Sequence, residues 1–146
     1  AQTTVARSQI DAAGRTISRV EANNDYLSGQ EFLSALEQVN QWRAAHAFPL
    51  NTHQMQLRKR VQAVDPEALV AQRLKRVSSI IQKLRRHQKM RLSQMQDIGG
   101  CRGVVETVEQ VREVYRLYKG SRQRHRLHHE KDYILEPKSS GYRGIH

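Results

Sequence analysis

The chain has very little cysteine, few aromatic side chains and no long apolar run. Of its 146 residues only Cys101 is a cysteine, so the sequence contains no pair for an internal disulfide. The cytoplasm is therefore the compartment that we expect. Because no apolar stretch approaches bilayer length, we expect no membrane-spanning helix and no membrane partner in this sequence.

Acidic residues are absent from one long stretch. Between Ala68 and Gln96 there is no Asp or Glu, although the same stretch carries Arg73, Lys75, Arg76, Lys83, Arg85, Arg86, Lys89 and Arg91. Such a one-sided run, in a chain of formal net charge +11, indicates a polyanionic partner: nucleotide phosphates or RNA. A solvated helix face is the alternative, and the missing acids favour the anion site.

The first half of the chain predicts helices. Apolar residues recur at helical spacing at Val5, Ile10, Ala13 and Ile17. Ser28 and Glu31 fit a capping box for a helix that Pro49 ends. Further helices are predicted over 52–64 and, with Asp65 as its cap, to about residue 73.

The pattern then changes from helical to mixed. A short helix over 78–86 with Ile80, Ile81 and Leu84 inward precedes a glycine-bounded β-strand, GCRGVV, and an amphipathic helix over 105–119. DYIL is predicted to be extended, Pro137–Gly141 to be a turn, and GYRGIH to begin another strand. The order predicts an α+β (α/β) fold, with a helical extension over 1–64 and the core over 65–146.

Several residues carry chemistry in this second part. Asp97 stands before the predicted strand beside two glycines, where a carboxylate can hold Mg²⁺ while substrate phosphates approach. Asp97 as a turn or cap residue is the alternative. Tyr142 offers a flat face to a base, and Lys131 and Lys138 are near enough in sequence to meet phosphates. Together these residues indicate an enzyme acting on nucleotide phosphates.

Three stretches resemble the RelA/SpoT-type alarmone synthetases in order and spacing. RLKRVSSIIQKL is similar to the family's basic ATP segment, DIGGCRGVV to the strand with the metal-binding aspartate, and KDYILEPKSSGYRGIH to its Lys-Asp-Tyr-Ile…Gly-Tyr-x-x-Ile-His signature. NQWRAAHAFPLNT resembles the small, single-domain members. The resemblance implies a nucleotidyltransferase-like fold with a mixed sheet, and transfer of the β,γ-diphosphate of ATP to a ribose 3′-hydroxyl of GTP or GDP.

The resemblance also implies roles for individual residues. Asp97 would be catalytic and hold the Mg²⁺ cofactor. The acceptor nucleotide would meet Lys138, Tyr142 and His146. ATP would be bound by Arg73, Lys75, Ser79, Lys83, Arg102 and Lys131.

The sequence departs from the family pattern in two ways. The family's second acidic residue, on a later strand, does not occur in this sequence, so we expect an incomplete and inactive chain. Ser140 stands where many guanosine-nucleotide users have asparagine, and Gln110, with Arg112 nearby, stands where a second arginine often sandwiches adenine. The acceptor therefore stays open, as do an oligomer and an antitoxin partner.

Two other functions compete with alarmone synthesis. One is a toxin of the same family that pyrophosphorylates the 3′ end of tRNA. The strong positive charge of the chain favours this function, because tRNA offers many phosphate contacts. The other is a non-catalytic nucleotide- or RNA-binding domain.

Some residues have purely structural interpretations. Ser79 is expected either to bind phosphate or to bond back to its helix backbone. Cys101 is expected to be a buried strand residue, and Tyr133 and Ile134 are expected in the sheet core. Trp42 and His46 are interpreted as helix packing, and His128 and His129 as surface residues.

Overall fold

The computed structural model describes residues 5–19, 29–121, 127 and 129–146. Its helices are α1 (Arg7–Arg19), α2 (Gly29–Ala45), α3 (Ala47–Val64), α4 (Val77–Arg86) and α5 (Val108–Gly120), with a 3₁₀ helix at Leu92–Gln94. The strands β1 (Leu69–Leu74) and β2 (Gly99–Val104) pair in an antiparallel, two-stranded sheet. The predicted α+β class is confirmed.

The chain divides into two compact units. The first unit comprises Ala1–Thr52 and Gln72–Gly100, and the second comprises His53–Ala71 and Cys101–His146. The predicted boundary near residue 64 between a helical extension and a catalytic core stays a prediction. No helix among the described residues is both long and apolar enough to cross a membrane.

Helical periodicity builds the core of the first unit. Ile10, Ala13 and Ile17 face inward from α1 and are almost fully buried. From α4, Ile80 and Leu84 are buried in the same cluster, as predicted, and Ile81 packs against it. Gly14 lets α1 approach the 3₁₀ helix closely, because a Cβ at this position would lie 2.9 Å from Leu92 Cβ.

A buried carboxylate fixes the 3₁₀ helix against α1. Asp11, only 9 % exposed, accepts hydrogen bonds from Ser93 N at 2.9 Å and from Ser93 Oγ at 3.0 Å. Because burying a charge without partners is costly, these bonds make the position of Ser93 specific. Asp11 therefore has a structural role, because it holds the 3₁₀ helix against α1.

The second unit has a small packed centre. Val61 of α3 is 2 % exposed and fills the space above Gly103 of β2, where a Cβ would lie 2.7 Å from Val61 Cγ2. The Arg60 guanidinium lies 4.4 Å from the ring centroid of Tyr118 and donates to Ser121 Oγ. These contacts hold α3, β2 and α5 together within this unit.

Two predictions from the first half were wrong. Pro49 does not end a helix: the break falls at His46, and Pro49 lies in the first turn of α3, where a missing N–H costs nothing. Asp65 does not start a helix either. Its Oδ1 accepts from Glu67 N in a tight turn, and the following segment is β1 because it pairs with β2.

The C-terminal segment also differs from the prediction. DYIL is not a strand: Asp132 forms an isolated bridge with Ile145, and Tyr133–Leu135 turn. Tyr133 and Ile134 are half-buried and lie in that turn rather than in a sheet core. The predicted turn before Gly141 is confirmed by a hydrogen bond from Gly141 N to Lys138 O, with Gly141 at φ +78°.

Other structural interpretations had mixed outcomes. Trp42 and His46 pack edge to face with ring centroids 4.8 Å apart, as predicted. Cys101 lies on β2 as predicted but is only half-buried, and burial raises the pKa of its thiol. Ser28 and His128 lie outside the described residues.

Candidate functional site

The first unit brings two lysines onto one carboxylate. Lys75 follows β1, Lys83 lies on α4 and Asp97 precedes β2. Lys75 Nζ donates to Asp97 Oδ2 at 3.0 Å, and Lys83 Nζ donates to Asp97 Oδ1 at 2.7 Å. We call these three residues the Asp97 cluster. Each carboxylate oxygen thus has its own ammonium donor.

Backbone contacts position this cluster. Lys75 N donates to Ile98 O at 2.7 Å, which continues the strand pairing to the residues beside Asp97. Arg43 of α2 donates from Nε to Lys75 O at 2.8 Å, while Ile98 and Ile80 are buried beneath the cluster's elements. The lysines and the aspartate are therefore held by packed segments rather than by free loops.

The charge state of Asp97 follows from two opposed effects. Burial alone would raise the pKa of its carboxyl group, but the hydrogen bonds and charges of Lys83 and Lys75 outweigh burial and lower that pKa below its ordinary 3.8. Asp97 is consequently ionised at neutral pH. An ionised carboxylate is a good ligand for a hard cation.

The donor chemistry of the cluster fits Mg²⁺. The Asp97 side chain is 39 % exposed, so its oxygens are accessible, and a Cβ on the neighbouring Gly100 would meet nothing within 4 Å. Among the described residues no group of three or more His, Cys, Asp or Glu side chains converges on a metal position. Asp97 fits a metal that takes its other ligands from substrate phosphates and water.

The other two residues of the predicted ATP segment keep their polar groups available. Arg73 lies exposed on β1, and Ser79 is half-buried on α4. Neither side chain has a hydrogen-bond or ion-pair partner among the described residues, and the bond from Ser79 back to its helix is not formed. Both groups can therefore meet a ligand without first breaking an internal contact.

In the second unit the C-terminal residues 131–146 form an irregular hairpin. Lys131 and His146 exchange two backbone hydrogen bonds, of 2.9 and 2.8 Å, and Tyr133 N donates to Gly144 O at 2.8 Å. Asp132 Oδ1 also accepts from the N–H groups of Ile134 and Leu135, which turns the chain. The first and last residues of the motif KDY…GIH are thus adjacent in space.

Three rings and a lysine converge inside this hairpin. The ring centroids of Tyr133, Tyr142 and His146 lie 5.7 to 5.8 Å apart, edge to face. Lys138 Nζ lies 4.5 Å from the Tyr133 centroid and 5.5 Å from the Tyr142 centroid. We call these four residues the aromatic cluster. Cation–π attraction holds the ammonium beside two rings without neutralising it with an acid.

The surroundings of His146 determine the charge state of its imidazole. Partial burial of the ring, followed by the positive charges of Lys138, Arg102 and Lys131, lowers the pKa of His146 below 6.5. The imidazole is therefore neutral at pH 7, and its Nε2 lies 3.1 Å from Tyr142 Oη. A neutral histidine and two tyrosines lie beside cations that have no acidic partner in the described part of the chain, and this combination suits a planar, negatively charged ligand.

The remaining predicted residues belong to the second unit. Arg102 of β2, which the resemblance assigns to ATP binding, lies 5.9 Å from the ring centroid of Tyr142 in the aromatic cluster. Lys131 contributes its backbone to the hairpin and its charge to the surroundings of His146. Gln110 caps α5 with Thr107, and Arg112 forms an ion pair with Asp132. Neither is available to sandwich a base without losing that contact.

Sequence reasoning missed three contributors. Tyr133 was assigned to a sheet core, although it lies at the centre of the aromatic cluster. Arg43 and Asp132 position the backbone of Lys75 and of the hairpin turn. An Asp side chain often accepts a hydrogen bond from the backbone N–H two residues later and so forms a turn, which made a turn at Asp132 predictable from the sequence. The contact of Arg43 with a residue 32 positions away had no local signature in the sequence.

A family model matches the second part of the chain. The family model described as "Region found in RelA / SpoT proteins" matches residues 72–146, which is more than half of the chain and includes both clusters. No curated protein matches the chain.

Proposed function

Since the chain belongs to the RelA/SpoT family, we propose that its chemistry is pyrophosphate transfer from ATP to a ribose 3′-hydroxyl, with GTP or GDP as the acceptor and (p)ppGpp as the product. The observation that supports this proposal best is the Asp97 cluster, in which a lysine faces each oxygen of an ionised, accessible carboxylate. One carboxylate between two ammonium groups is an arrangement that suits the binding of a metal–triphosphate complex.

The proposed reaction forms one bond and breaks one. The acceptor 3′-oxygen bonds to the β-phosphorus of ATP, the bond from that phosphorus to the α,β-bridging oxygen breaks, and AMP leaves with that oxygen. The hydroxyl proton passes to solvent. Negative charge on the phosphoryl oxygens is the main obstacle to attack by the 3′-oxygen, so cations held in fixed positions contribute most to catalysis.

In this proposal each residue of the Asp97 cluster has a definite task. Asp97 would hold Mg²⁺, which would supply charge neutralisation on the phosphate oxygens. Lys75 and Lys83 exchange their carboxylate partner for phosphate oxygens, and Ser79 donates its free hydroxyl to the same group. Arg73 stacks its unpaired guanidinium on adenine, which a planar cation does well.

The second unit supplies the acceptor side of the proposal. Tyr142 stacks on the acceptor base, and neutral His146 lines it. Lys138 meets the acceptor's phosphates with an ammonium that has no acidic partner among the described residues. Arg102 and Lys131 add positive charge for phosphates.

The test is transfer of label from [γ-³²P]ATP by a protein that carries this sequence together with the family's second acidic residue, with GTP, GDP, ATP and tRNA offered as separate acceptors. We expect label on a guanosine nucleotide together with an equal amount of AMP. Asp97→Asn and Lys83→Met should abolish transfer, whereas Lys59→Gln, an exposed lysine without a described partner, should not.

Other outcomes of this assay distinguish the alternatives. Label on tRNA, without label on any mononucleotide, would replace the alarmone synthetase by the tRNA-modifying toxin. ATP binding without AMP release from a chain that contains every family motif would favour the non-catalytic binding domain. A chain that neither binds nor cleaves ATP would refute the proposal.

A further inference from the structure

One face of α5 contacts the start of the C-terminal hairpin, and the residues involved all belong to the second unit. Arg112 forms an ion pair with Asp132. Glu130, two residues earlier, accepts a hydrogen bond from Tyr115 Oη at 2.7 Å, and its Oε2 lies 2.8 Å from Lys119 Nζ. Because Arg112, Tyr115 and Lys119 follow helical spacing, they lie on the same side of α5. We call these five residues the α5 clamp.

The pair of Arg112 with Asp132 is the better protected part of the α5 clamp. Its two side chains are 28 % and 21 % exposed, whereas those of Lys119 and Glu130 are 50 % and 32 % exposed. Water and salt weaken an ion pair more strongly when its side chains are more exposed. We therefore expect Arg112, rather than Lys119, to hold the hairpin in place.

Asp132 connects the α5 clamp to the turn of the hairpin. Its Oδ2 accepts from Arg112. Its Oδ1 accepts from Ile134 N at 3.0 Å and from Leu135 N at 3.1 Å. Both oxygens belong to one planar carboxylate, so the contact with Arg112 also orients the oxygen that forms the turn. Tyr133, at the start of that turn, is thereby held where its ring meets the other rings of the aromatic cluster.

Lys131 lies between the two acids of the α5 clamp. It exchanges two backbone hydrogen bonds with His146, and Asp132 forms a bridge with Ile145, so this part of the hairpin is extended. Side chains alternate in an extended segment, so the contacts of Glu130 and Asp132 with α5 direct Lys131 to the opposite side. Its charge accordingly helps to lower the pKa of His146. The α5 clamp thus sets the side of the hairpin on which Lys131 is presented.

We propose that Arg112 is a positioning residue for the acceptor side of the proposed site. By holding the carboxylate of Asp132, it presents Lys131 to nucleotide phosphates and Tyr133 to the surroundings of the acceptor base. Arg112 acts through Asp132 and does not itself touch the nucleotide. The identity of the ligand rests on the proposed function, whereas the effect of Arg112 on the hairpin can be measured without any ligand.

The first experiment uses the purified chain without a nucleotide. NMR measures hydrogen exchange of the Ile134 and Leu135 amides and the pKa of the His146 ring in Arg112→Gln. The matched control is Arg116→Gln, because Arg116 is exposed on the same helix and has no partner among the described residues. Circular dichroism and thermal unfolding establish that each variant is folded.

In Arg112→Gln we expect the Ile134 and Leu135 amides to exchange about tenfold faster, because the carboxylate that accepts from them loses its charged partner. Exchange of the β1 and β2 amides should not change. The pKa of His146 should move up toward 6.5 as its ring becomes less buried. Arg112 is not among the charges that lower this pKa, so the shift would report the geometry of the hairpin.

A second substitution tests whether Arg112 acts through Asp132. Asp132→Asn keeps a side-chain oxygen for the turn but removes the negative charge. In the Asp132→Asn background, Arg112→Gln should therefore have little further effect on amide exchange or on the pKa of His146. Full additivity of the two substitutions would mean that Arg112 acts by another route.

Enzyme kinetics test the consequence for the acceptor, in the protein that also carries the family's second acidic residue. Arg112→Gln should raise the KM for the acceptor about tenfold, since the groups that bind it are displaced. The KM for MgATP should change much less, because the Asp97 cluster supplies the main contacts to ATP in the proposed function. Arg112→Lys, which can still pair with Asp132, should recover part of the loss, and Arg116→Gln should match the parent protein.

Unchanged amide exchange together with an unchanged pKa of His146, in a folded Arg112→Gln variant, would overturn the inference. Equal changes in Arg116→Gln would do the same, because they would show an effect of net charge alone, and so would equal increases of the two KM values. A parent protein that transfers no label would refute the proposed function, and hydrogen exchange would still decide whether Arg112 holds the hairpin.

Discussion

Lys83 Nζ donates to Asp97 Oδ1 at 2.7 Å, and this contact links the middle of α4 to the entrance of β2. The predicted metal-binding residue is therefore already held in an ionised and oriented state by the residues predicted to bind phosphate. A ligand that brings its own cation and its own anions can replace both partners at once.

The Asp97 cluster should make stability depend on pH in acid. Because the folded-state pKa of Asp97 lies below its ordinary 3.8, its stabilising effect is complete above that value and is lost as pH falls through the folded pKa. Asp97→Asn should be less stable than the parent chain at neutral pH, and the difference should shrink in strong acid. Urea unfolding over a pH series measures it. A difference that stayed constant with pH would contradict the assigned ion pairs, and Lys83→Gln should show the same trend.

The contact between Asp11 and Ser93 should stabilise the first unit. Asp11→Ala removes the acceptor of two hydrogen bonds and leaves the Ser93 N–H without its partner, so we expect a loss of about 2–3 kcal/mol in the free energy of unfolding. Ser93→Ala removes only the hydroxyl and should cost about 1 kcal/mol. Chemical denaturation of both variants provides the measurement. Equal costs for the two substitutions would mean that the backbone hydrogen bond contributes nothing.

Gly103 and Gly100 on the same strand provide a matched pair. Gly103→Ala should cost about 1–3 kcal/mol, because its Cβ would lie 2.7 Å from Val61 Cγ2. Gly100→Ala meets nothing within 4 Å and should be close to neutral. In a double-mutant cycle Val61→Ala should relieve much of the cost of Gly103→Ala. Additive effects in that cycle would show that Val61 is not the obstacle.

The pKa of His146 should depend on Lys138. Partial burial and the nearby positive charges hold the pKa of His146 below 6.5, so Lys138→Gln should move it upward toward that value. Histidine ring signals followed by NMR during a pH titration give the shift directly. Lys59→Gln, which removes a charge of α3 that does not contribute to the lowered pKa of His146, is the control. A pKa that is the same in Lys138→Gln and the parent chain would exclude the assigned role of Lys138.

The site was predictable where it rests on contiguous motifs. Arg73, Lys75, Ser79 and Lys83 are set by one basic segment, and the family match over 72–146 agrees with the motifs found in the sequence. Their joint geometry was not predictable, since the two ion pairs join residues 14 and 22 positions apart. Only packing of α4 and the strand ends brings those residues onto one carboxylate.

The sequence by itself determined the amphipathic helices, because the spacing of Ile10, Ala13 and Ile17, and of Ile80 and Leu84, is a local property with one helical solution. The tertiary structure decided the rest. Leu69–Leu74 is a strand since its backbone partner, β2, lies about thirty residues further along the chain, beyond the reach of local propensity. Tyr133 likewise joins Tyr142 and His146 only because Asp132 turns the chain and the two ends of the hairpin exchange hydrogen bonds.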